Sequence, residues 1–415
     1  MMSNSAGKAA ARVWASDAGE RPLTRGSAHV LWGIVVICLA LFLLFFGFRL
    51  WNVLLFPHGI EHTEGLVLDW SRQIAAGALP YKLITPFPWN FSVYTPGYLT
   101  ASALLLNLAP GSPWFGGRLL SALGALGLAL LLILQMPRTR SRKNGHTSPP
   151  HPLTPSLPHL VTLSLAAALW IASPYVFRWA TFFRPDMFAL FWSALGVVLV
   201  GHALSRNRAS LVVVGTLCFV ASFYSKQSFV AAPLAAFLYL ALARRAWLPH
   251  LLLPGISGGL LVAFVLWQKA GPPLLQDLIV ANANAYSWED FWRYERSFFL
   301  TVPILAVLSL WWVVAGHKAE RQDMSRERPH VSLLGIYGLI ALLATLAIGK
   351  AGAWENYFLE SLWVFCALAG RASQGLHTAG GWRAVVAPLL ILLQLGLFVP
   401  GFERRTPTAE LTWLI

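Results

Sequence analysis

The chain has 415 residues, 57% hydrophobic and only 12% charged, with a formal net charge of +14 and a mean hydropathy of +0.60. Soluble domains carry about 25% charged residues, and no water-soluble core has room for this much apolar surface. The composition therefore excludes a soluble enzyme and defines an all-α, polytopic membrane protein. Cys38, Cys218 and Cys366 each lie inside an apolar run, so they read as small buried hydrophobes without disulfide or metal spacing.

Residues 1–29 are polar and rich in small residues, with Lys8, Arg12, Arg21 and Arg25, and predict a disordered tail. The apolar run after them is too long for a signal-peptide core and lacks a small-residue cleavage site behind it, so it reads as a first membrane helix. Runs long and apolar enough to span predict helices near 30–50, 115–136, 159–175, 187–203, 209–225, 228–243, 249–268, 298–316, 331–349, 357–370 and 384–400. That gives about eleven spans. The run at 96–109 has the length of an interfacial or re-entrant helix instead. The stretch 137–158 (PRTRSRKNGHTSPPHPLTPSLP) is Pro/Ser-rich and reads as an unstructured loop. One transmembrane domain, 30–403, is expected, with a first outer loop over 51–114 carrying juxtamembrane helices and a short tail at 404–415.

Charge sets the orientation. With the N-terminus cytoplasmic, the inside loops collect the clusters at Arg138–Lys143, Arg206/Arg208, Arg244/Arg245 and Lys318–Arg328, with few acids beside them. Treating 96–109 as a full span would put Arg138, Arg140, Arg142 and Lys143 outside, against the positive-inside rule. The positive excess thus reports orientation and anionic lipid, and nucleic acid is not an expected partner. The C-terminus is expected outside.

Outside, polar residues converge on five loops. The first runs from His58 to Tyr98 and gathers Glu61, His62, Glu64 and Asp69. The others hold Arg178, Arg184 and Asp186; Lys226; residues 269–297; and Lys350 with Asn356 and Tyr357. Ionisable groups at membrane ends are expensive unless paired or functional. Glu64 opens an amphipathic stretch that Thr63 is positioned to cap, which would fix a carboxylate at a helix N-terminus as a general base. The same position equally suits a capping carboxylate without chemistry. Asp69 lies on a partly different face of that helix. His58 and His62 are four apart, but Gly59 between them argues against a helical metal site. Lys226 sits at an outer membrane edge, as a phosphate contact or as a lysine snorkelling to headgroups. Arg184, Arg178 and Lys350 are similar candidates, and Asp186 suits a helix start or a partner for Arg184.

EGLVLDWSRQIAAGALPY, YTPGY and WFGGRLLSALGAL, followed by FRPDMFALFWSAL, SFYSKQSFVAAPL and GKAGAWENYFLESL, resemble the motifs of GT-C membrane glycosyltransferases. The likeness is greatest to the glycosyltransferase-39 group, which includes protein O-mannosyltransferases and aminoarabinose transferases. It covers most of residues 30–370. The resemblance implies an inverting glycosyltransferase of the plasma (inner) membrane. Its donor would be a polyprenyl-phosphate sugar, used on the outer face with a lipid, glycan or protein as acceptor. It implies no cofactor and no metal. The family's catalytic acid maps onto Glu64, although many members carry Asp-Glu where this chain has Thr63-Glu64. Lys226 maps onto the family's basic helix-end residue, with Arg184 and Lys350 as further donor-phosphate contacts. Substrate-binding positions map onto Asp69, Tyr94, Tyr98, Asp186, Asn356 and Tyr357. A transporter or flippase of lipid-linked sugars, and an inactive GT-C-like partner protein, are the alternatives.

Overall fold

The computed structural model describes residues 22–84, 91–109, 111–136, 157–316 and 332–403. Among these residues there are sixteen α-helices and no β-strand, only an isolated bridge between Tyr286 and Lys350. In chain order the helices are α1 Pro22–Leu55, α2 His62–Ala75, α3 Pro96–Leu105, α4 Phe115–Gln135, α5 Leu157–Ala172, α6 Pro174–Trp179, α7 Asp186–Arg206 and α8 Ser210–Ser225. Then come α9 Ala231–Ala243, α10 Leu248–Ala270, α11 Pro272–Leu278, α12 Trp288–Thr301, α13 Pro303–Trp311, α14 Leu333–Ala344, α15 Leu359–Thr378 and α16 Gly381–Glu403. Of the tail expected over 1–29, residues 22–29 are helical and open α1, because the apolar run carries the helix back past its own start; residues 1–21, the tail 404–415 and most of the loop 137–158 lie outside the described residues.

The reason for a membrane is visible on α1. Trp32, Val35, Leu39 and Phe46 form a buried stripe at helical spacing, while Leu44 and Phe48 on the other faces are well exposed. A helix apolar on every face, with only one stripe covered by protein, needs lipid on the rest. This is a multi-pass membrane protein. Five described helical stretches are long and apolar enough to cross a bilayer: Gly26–Leu55, Phe115–Gln135, Asp186–Arg206, Arg245–Ala270 and Gly381–Phe402.

Each of the eleven apolar runs has a helix, but the helices are less uniform than straight spans. The run at 298–316 is the clearest departure. Its helix starts ten residues earlier, at Trp288, and bends by 77° where Pro303 follows Val302. Proline lacks the amide donor that would continue the ladder. At 228–243 the helix starts only at Ala231, and at 331–349 the α-helix gives way after Ala344 to a 3₁₀ turn over Thr345–Gly349. Helix α15, behind one of the shortest runs, is the centre of the bundle. Every side chain from Leu359 to Gly370 is buried, and Trp363 Nε1 donates to the Leu128 carbonyl of α4 at 3.2 Å. A helix surrounded by protein need not be uniformly apolar, so Glu360, Ser361, Ser373 and Gln374 are tolerated there.

The run at 96–109 forms α3, only 10 residues long, clamped between α2 and α8. Thr95 Oγ1 donates to the Phe223 carbonyl at 2.9 Å, and Tyr98 Oη donates to the Gly117 carbonyl at 2.8 Å. Gly97 lies so close to α8 that a Cβ there would sit 2.5 Å from the Tyr224 carbonyl oxygen. Backbone cannot move aside as a side-chain tip can. Gly97→Ala is therefore expected to destabilise the protein by about 1–3 kcal/mol, the usual range for overpacking, read as a lower melting temperature in detergent. Wild-type stability in that variant would mean that α3 is free to shift.

Candidate active site

The first outer loop is anchored by a buried ion pair. Helix α2 starts after Glu61, whose backbone is extended (φ −143°, ψ 138°). Thr63 does not cap it. Its hydroxyl lies inside the first turn and donates to Glu61 Oε1 at 2.8 Å. Glu64 instead reaches back, its Oε2 accepting the Ile60 N–H at 2.7 Å, as the acid of a capping box does. Glu64 is fully buried. Its Oε1 accepts the Phe183 N–H at 2.6 Å, and both oxygens receive the fork of Arg118, at 3.2 Å from Nε and 2.9 Å from Nη2. Arg118, also fully buried, donates further to the carbonyls of Val53, Phe56 and His58 at 2.6–2.9 Å. The pair thus ties the end of α1, the start of α2, α4 and the turn before α7 together. With four donors on two oxygens and no exposed surface, Glu64 has no free lone pair for a substrate proton. That geometry argues against the base role expected for it.

A second chain of polar groups ends on a cavity at Lys226. Glu61 Oε2 accepts from Arg184 Nη1 at 3.2 Å. Arg184 Nε lies 3.9 Å from Asp186 Oδ2. Asp186 is fully buried, and its Oδ1 takes a very short hydrogen bond from the ammonium of Lys226. The Tyr94 ring sits among them, its centroid 5.7 Å from both the Arg184 guanidinium and Lys226 Nζ, while the Tyr357 ring lies 5.8 Å from Lys226 Nζ. Burial pushes the Tyr94 phenol up to about 12, against the pull of Arg184, so it stays a neutral donor at physiological pH. Burial also draws the Lys226 ammonium below the ordinary lysine range, opposed by Asp186.

Of these residues Tyr94, Lys226 and Tyr357 line a cavity of about 340 Å³, together with Gln227, Lys350, Asn356 and Glu360 among others, while Asp186, Arg184 and Glu61 stand behind Lys226. The segment ending at Tyr94 is strapped over it. Gln227 Nε2 and Asn282 Nδ2 both donate to the Val93 carbonyl, at 2.7 and 3.2 Å, and Tyr81 Oη donates to that of Tyr94 at 3.0 Å. Lys350 is positioned by a hydrogen bond from the Ser287 N–H to the neighbouring Gly349 carbonyl at 2.7 Å. The outer-loop residues expected to converge do meet at one end of the bundle.

The structure brings together Lys226, Arg184, Lys350, Tyr94, Asp186, Asn356 and Tyr357. Five expected residues do not line the cavity, and of these Arg184 and Asp186 are linked to it through Lys226. Glu64 is locked as described. Tyr98 is fully buried, its hydroxyl taken by Gly117 and within 3.3 Å of Ser121 Oγ. Asp69 accepts from Gln73 Nε2 one turn along α2 at 2.7 Å. His58 contributes its carbonyl to Arg118, and His62 Nδ1 lies 2.9 Å from Glu61 Oε1 with its side chain 82% exposed. Sequence reasoning passed over Glu61, Arg118 and Glu360. The signal for Arg118 was an arginine inside WFGGRLLSALG with no acid near it in sequence, which demands a distant partner.

No protein-family model and no curated protein sequence matches the chain. The fold, however, is similar to that of solved membrane proteins. The structure is similar to that of ArnT from Cupriavidus metallidurans bound to undecaprenyl phosphate, with a TM-score of 0.56 and 15% identity over 91% of this chain and 66% of that one. Against the same protein in the apo state the TM-score is 0.51, with 16% identity over 90% of this chain and 75% of that one. The cryo-EM structure of the arabinosyltransferase EmbB from Mycobacterium smegmatis gives a TM-score of 0.51 and 15% identity, covering 93% of this chain and 38% of that one. The chain thus spans just under two thirds of the undecaprenyl-phosphate-bound ArnT and far less of EmbB. At such identities the likeness concerns the fold.

Proposed function

We propose that this protein is an inverting glycosyltransferase that takes its sugar from a polyprenyl-phosphate-linked donor at the outer face of the plasma membrane. The observation that carries the reading is the chain Glu61–Arg184–Asp186–Lys226, two buried cations and two carboxylates that end on the cavity at Lys226, in a fold like that of solved membrane glycosyltransferases. The undecaprenyl phosphate in the similar ArnT structure makes a polyprenyl phosphate the natural class of donor carrier here. The N-terminus would be cytoplasmic, as the distribution of basic residues argues.

In the reaction an acceptor hydroxyl attacks the anomeric carbon from the face opposite the phosphate. The bond from that carbon to the phosphate oxygen breaks, and polyprenyl phosphate leaves with the electron pair. The acceptor proton goes to a carboxylate. Lys226 and Arg184, with Lys350 across the cavity, would neutralise the charge growing on the leaving phosphate. Asn356, Tyr357 and Tyr94 supply neutral donors for the sugar. Because Glu64 is saturated, we assign the base role to Glu61, three residues earlier and at the end of the cation chain. A transporter of lipid-linked sugars would want ionisable groups near mid-span, and their collection at one end supports the enzyme.

The test is turnover by the purified protein with labelled polyprenyl-phosphate sugars and an extract of envelope lipids, glycans and proteins as acceptors. Transfer should be seen, and Lys226→Ala should raise the KM for the donor about 10- to 100-fold, as expected for losing one charge-assisted contact. An unchanged donor affinity in that variant would leave Lys226 only as the partner of Asp186. Absence of transfer from every polyprenyl-phosphate sugar tried would remove the reading.

A further inference from the structure

The cations around the cavity are not equivalent. Lys226 gives its ammonium to Asp186, and Arg184 is shared between Glu61 and Asp186. Each of these charges is already matched by a buried carboxylate. Lys350 lines the cavity as well, and among the described residues its ammonium has neither an ion-pair nor a hydrogen-bond partner. Glu360, a carboxylate on the same lining, accepts from Tyr337 Oη at 2.8 Å and feels the charge of Lys226. Lys350 therefore brings to the cavity a charge that no neighbouring carboxylate holds.

A lysine without a partner must be aimed by other means, because its four-carbon stem is flexible and ordering it costs entropy. Here the backbone on both sides of it is clamped. Lys350 follows the 3₁₀ turn Thr345–Gly349 and forms an antiparallel bridge with Tyr286. The Ser287 N–H donates to the Gly349 carbonyl at 2.7 Å, and the Ala351 N–H to the Ala285 carbonyl at 2.8 Å. Three side chains from the stretch 284–295 complete the clamp. Tyr286 Oη donates to the Leu346 carbonyl and Asn284 Nδ2 to that of Ala351, both at 2.9 Å, and Glu295 Oε1 accepts from Thr345 Oγ1. The Tyr286 ring lies so close to Gly349 that an added Cβ would sit 2.5 Å from its Cζ. Gly352, at φ +79°, turns the chain two residues after Lys350. A lysine flanked by glycines in GKAG thus has a physical reason: one glycine admits the tyrosine, and the other takes a left-handed backbone.

We propose that Tyr286 is a positioning residue for the donor, setting Lys350 against the phosphate of the polyprenyl carrier. The proposal rests on the glycosyltransferase reading. Tyr286 is not among the residues lining the cavity. It acts on the turn, with its hydroxyl on Leu346 and its ring on Gly349, and so fixes the backbone from which the Lys350 stem departs. A phosphate then meets an ammonium that has no salt bridge to give up, whereas Lys226 and Arg184 must share their charge with Asp186 and Glu61.

Binding can be measured without any transfer. The purified full chain in detergent is titrated with farnesyl phosphate, a short polyprenyl phosphate, with farnesol as the control that lacks the phosphate, and dissociation constants are taken from native mass spectrometry. Lys350→Met should weaken farnesyl phosphate about tenfold, the loss of a charge-assisted contact. Tyr286→Phe keeps the ring on Gly349 but removes the bond to Leu346, and should weaken it about threefold. The double variant Lys350→Met/Tyr286→Phe should bind no more weakly than Lys350→Met alone, since the tyrosine acts through the lysine. Lys350→Arg, which keeps a charge on the same turn, should restore the sensitivity to Tyr286→Phe and guards against a folding defect. Farnesol binding should not change in any of them. Additive losses in the double variant, or equal weakening of farnesol and farnesyl phosphate, would leave Tyr286 a support of the fold and overturn the proposal. Wild-type affinity in Lys350→Met or in Tyr286→Phe, or no farnesyl phosphate binding by the wild type, overturns it as well. Non-additive loss in a protein that never transfers sugar would keep the clamp as a lipid-phosphate site and discard the enzymatic reading. Transfer whose KM for the polyprenyl-phosphate sugar is untouched by both substitutions would do the reverse.

Discussion

Glu61→Gln is expected to lower sugar transfer by about 100- to 10,000-fold, the range that a positioned general base contributes, with little loss of stability. The carboxylate is placed for the task in a way that Glu64 is not. Its Oε2 takes one guanidinium contact and its Oε1 receives Thr63 and His62, so lone-pair capacity remains. It is also next to a way out for the proton, since His62 reaches solvent. Glutamine keeps the size and, with its oxygen toward Arg184, that hydrogen bond, while its amide can only donate toward the Thr63 hydroxyl and cannot take a proton. The variant should therefore still bind donor with wild-type affinity and show its loss in kcat. His62→Ala, removing only the exit, should have a much smaller effect. Full turnover by Glu61→Gln would return the search to Glu360, the carboxylate that lines the cavity.

Much of this architecture was legible in the sequence, because lipid imposes a simple rule on helices and the basic clusters label one side. The runs at 30–50, 115–136 and 384–400 each became a helix long enough to span. What hydropathy could not show was breakage. Pro303 sits inside an apolar run, and only the amphipathic pattern before it, with exposed Trp288 and Trp292, shows that α12 lies at an angle to α13. The region was legible, since Arg184, Asp186, Lys226 and Lys350, from three separate stretches of the chain, come together around one cavity and the ion pairs behind it. Choice among carboxylates was not legible. Glu61 and Glu64 are three residues apart at the start of one helix, and which one points inward depends on Arg118, which lies more than fifty residues away. Burial of a charge is decided by its partner, and a partner distant in the chain leaves no local trace.

That partnership makes Glu64→Gln a test of structure. Removing one member of a buried ion pair leaves an uncompensated charge, which costs about 3–5 kcal/mol. In the variant the Arg118 fork would retain only the carbonyls of Val53, Phe56 and His58. The expected result is a marked fall in melting temperature in detergent, with measurable transfer persisting in whatever remains folded at low temperature. A catalytic Glu64 would give the opposite pattern, a stable protein that binds donor and does not turn over. The double variant Glu64→Leu/Arg118→Leu separates this strut from an ordinary buried pair. Replacing both partners of an isolated pair by apolar groups is often neutral or stabilising. Here the amides of Ile60 and Phe183 and the carbonyl of His58 take their hydrogen bonds from the pair, while the carbonyls of Val53 and Phe56 also accept from Phe56 N–H and Ser112 Oγ. Stripping both side chains takes the partner from three backbone groups, each costing about 1–3 kcal/mol when buried. The double variant should therefore be no more stable than Glu64→Gln alone. Recovery to wild-type stability would mean that those backbone groups find water, and that the start of the first outer loop is more open than its packing suggests.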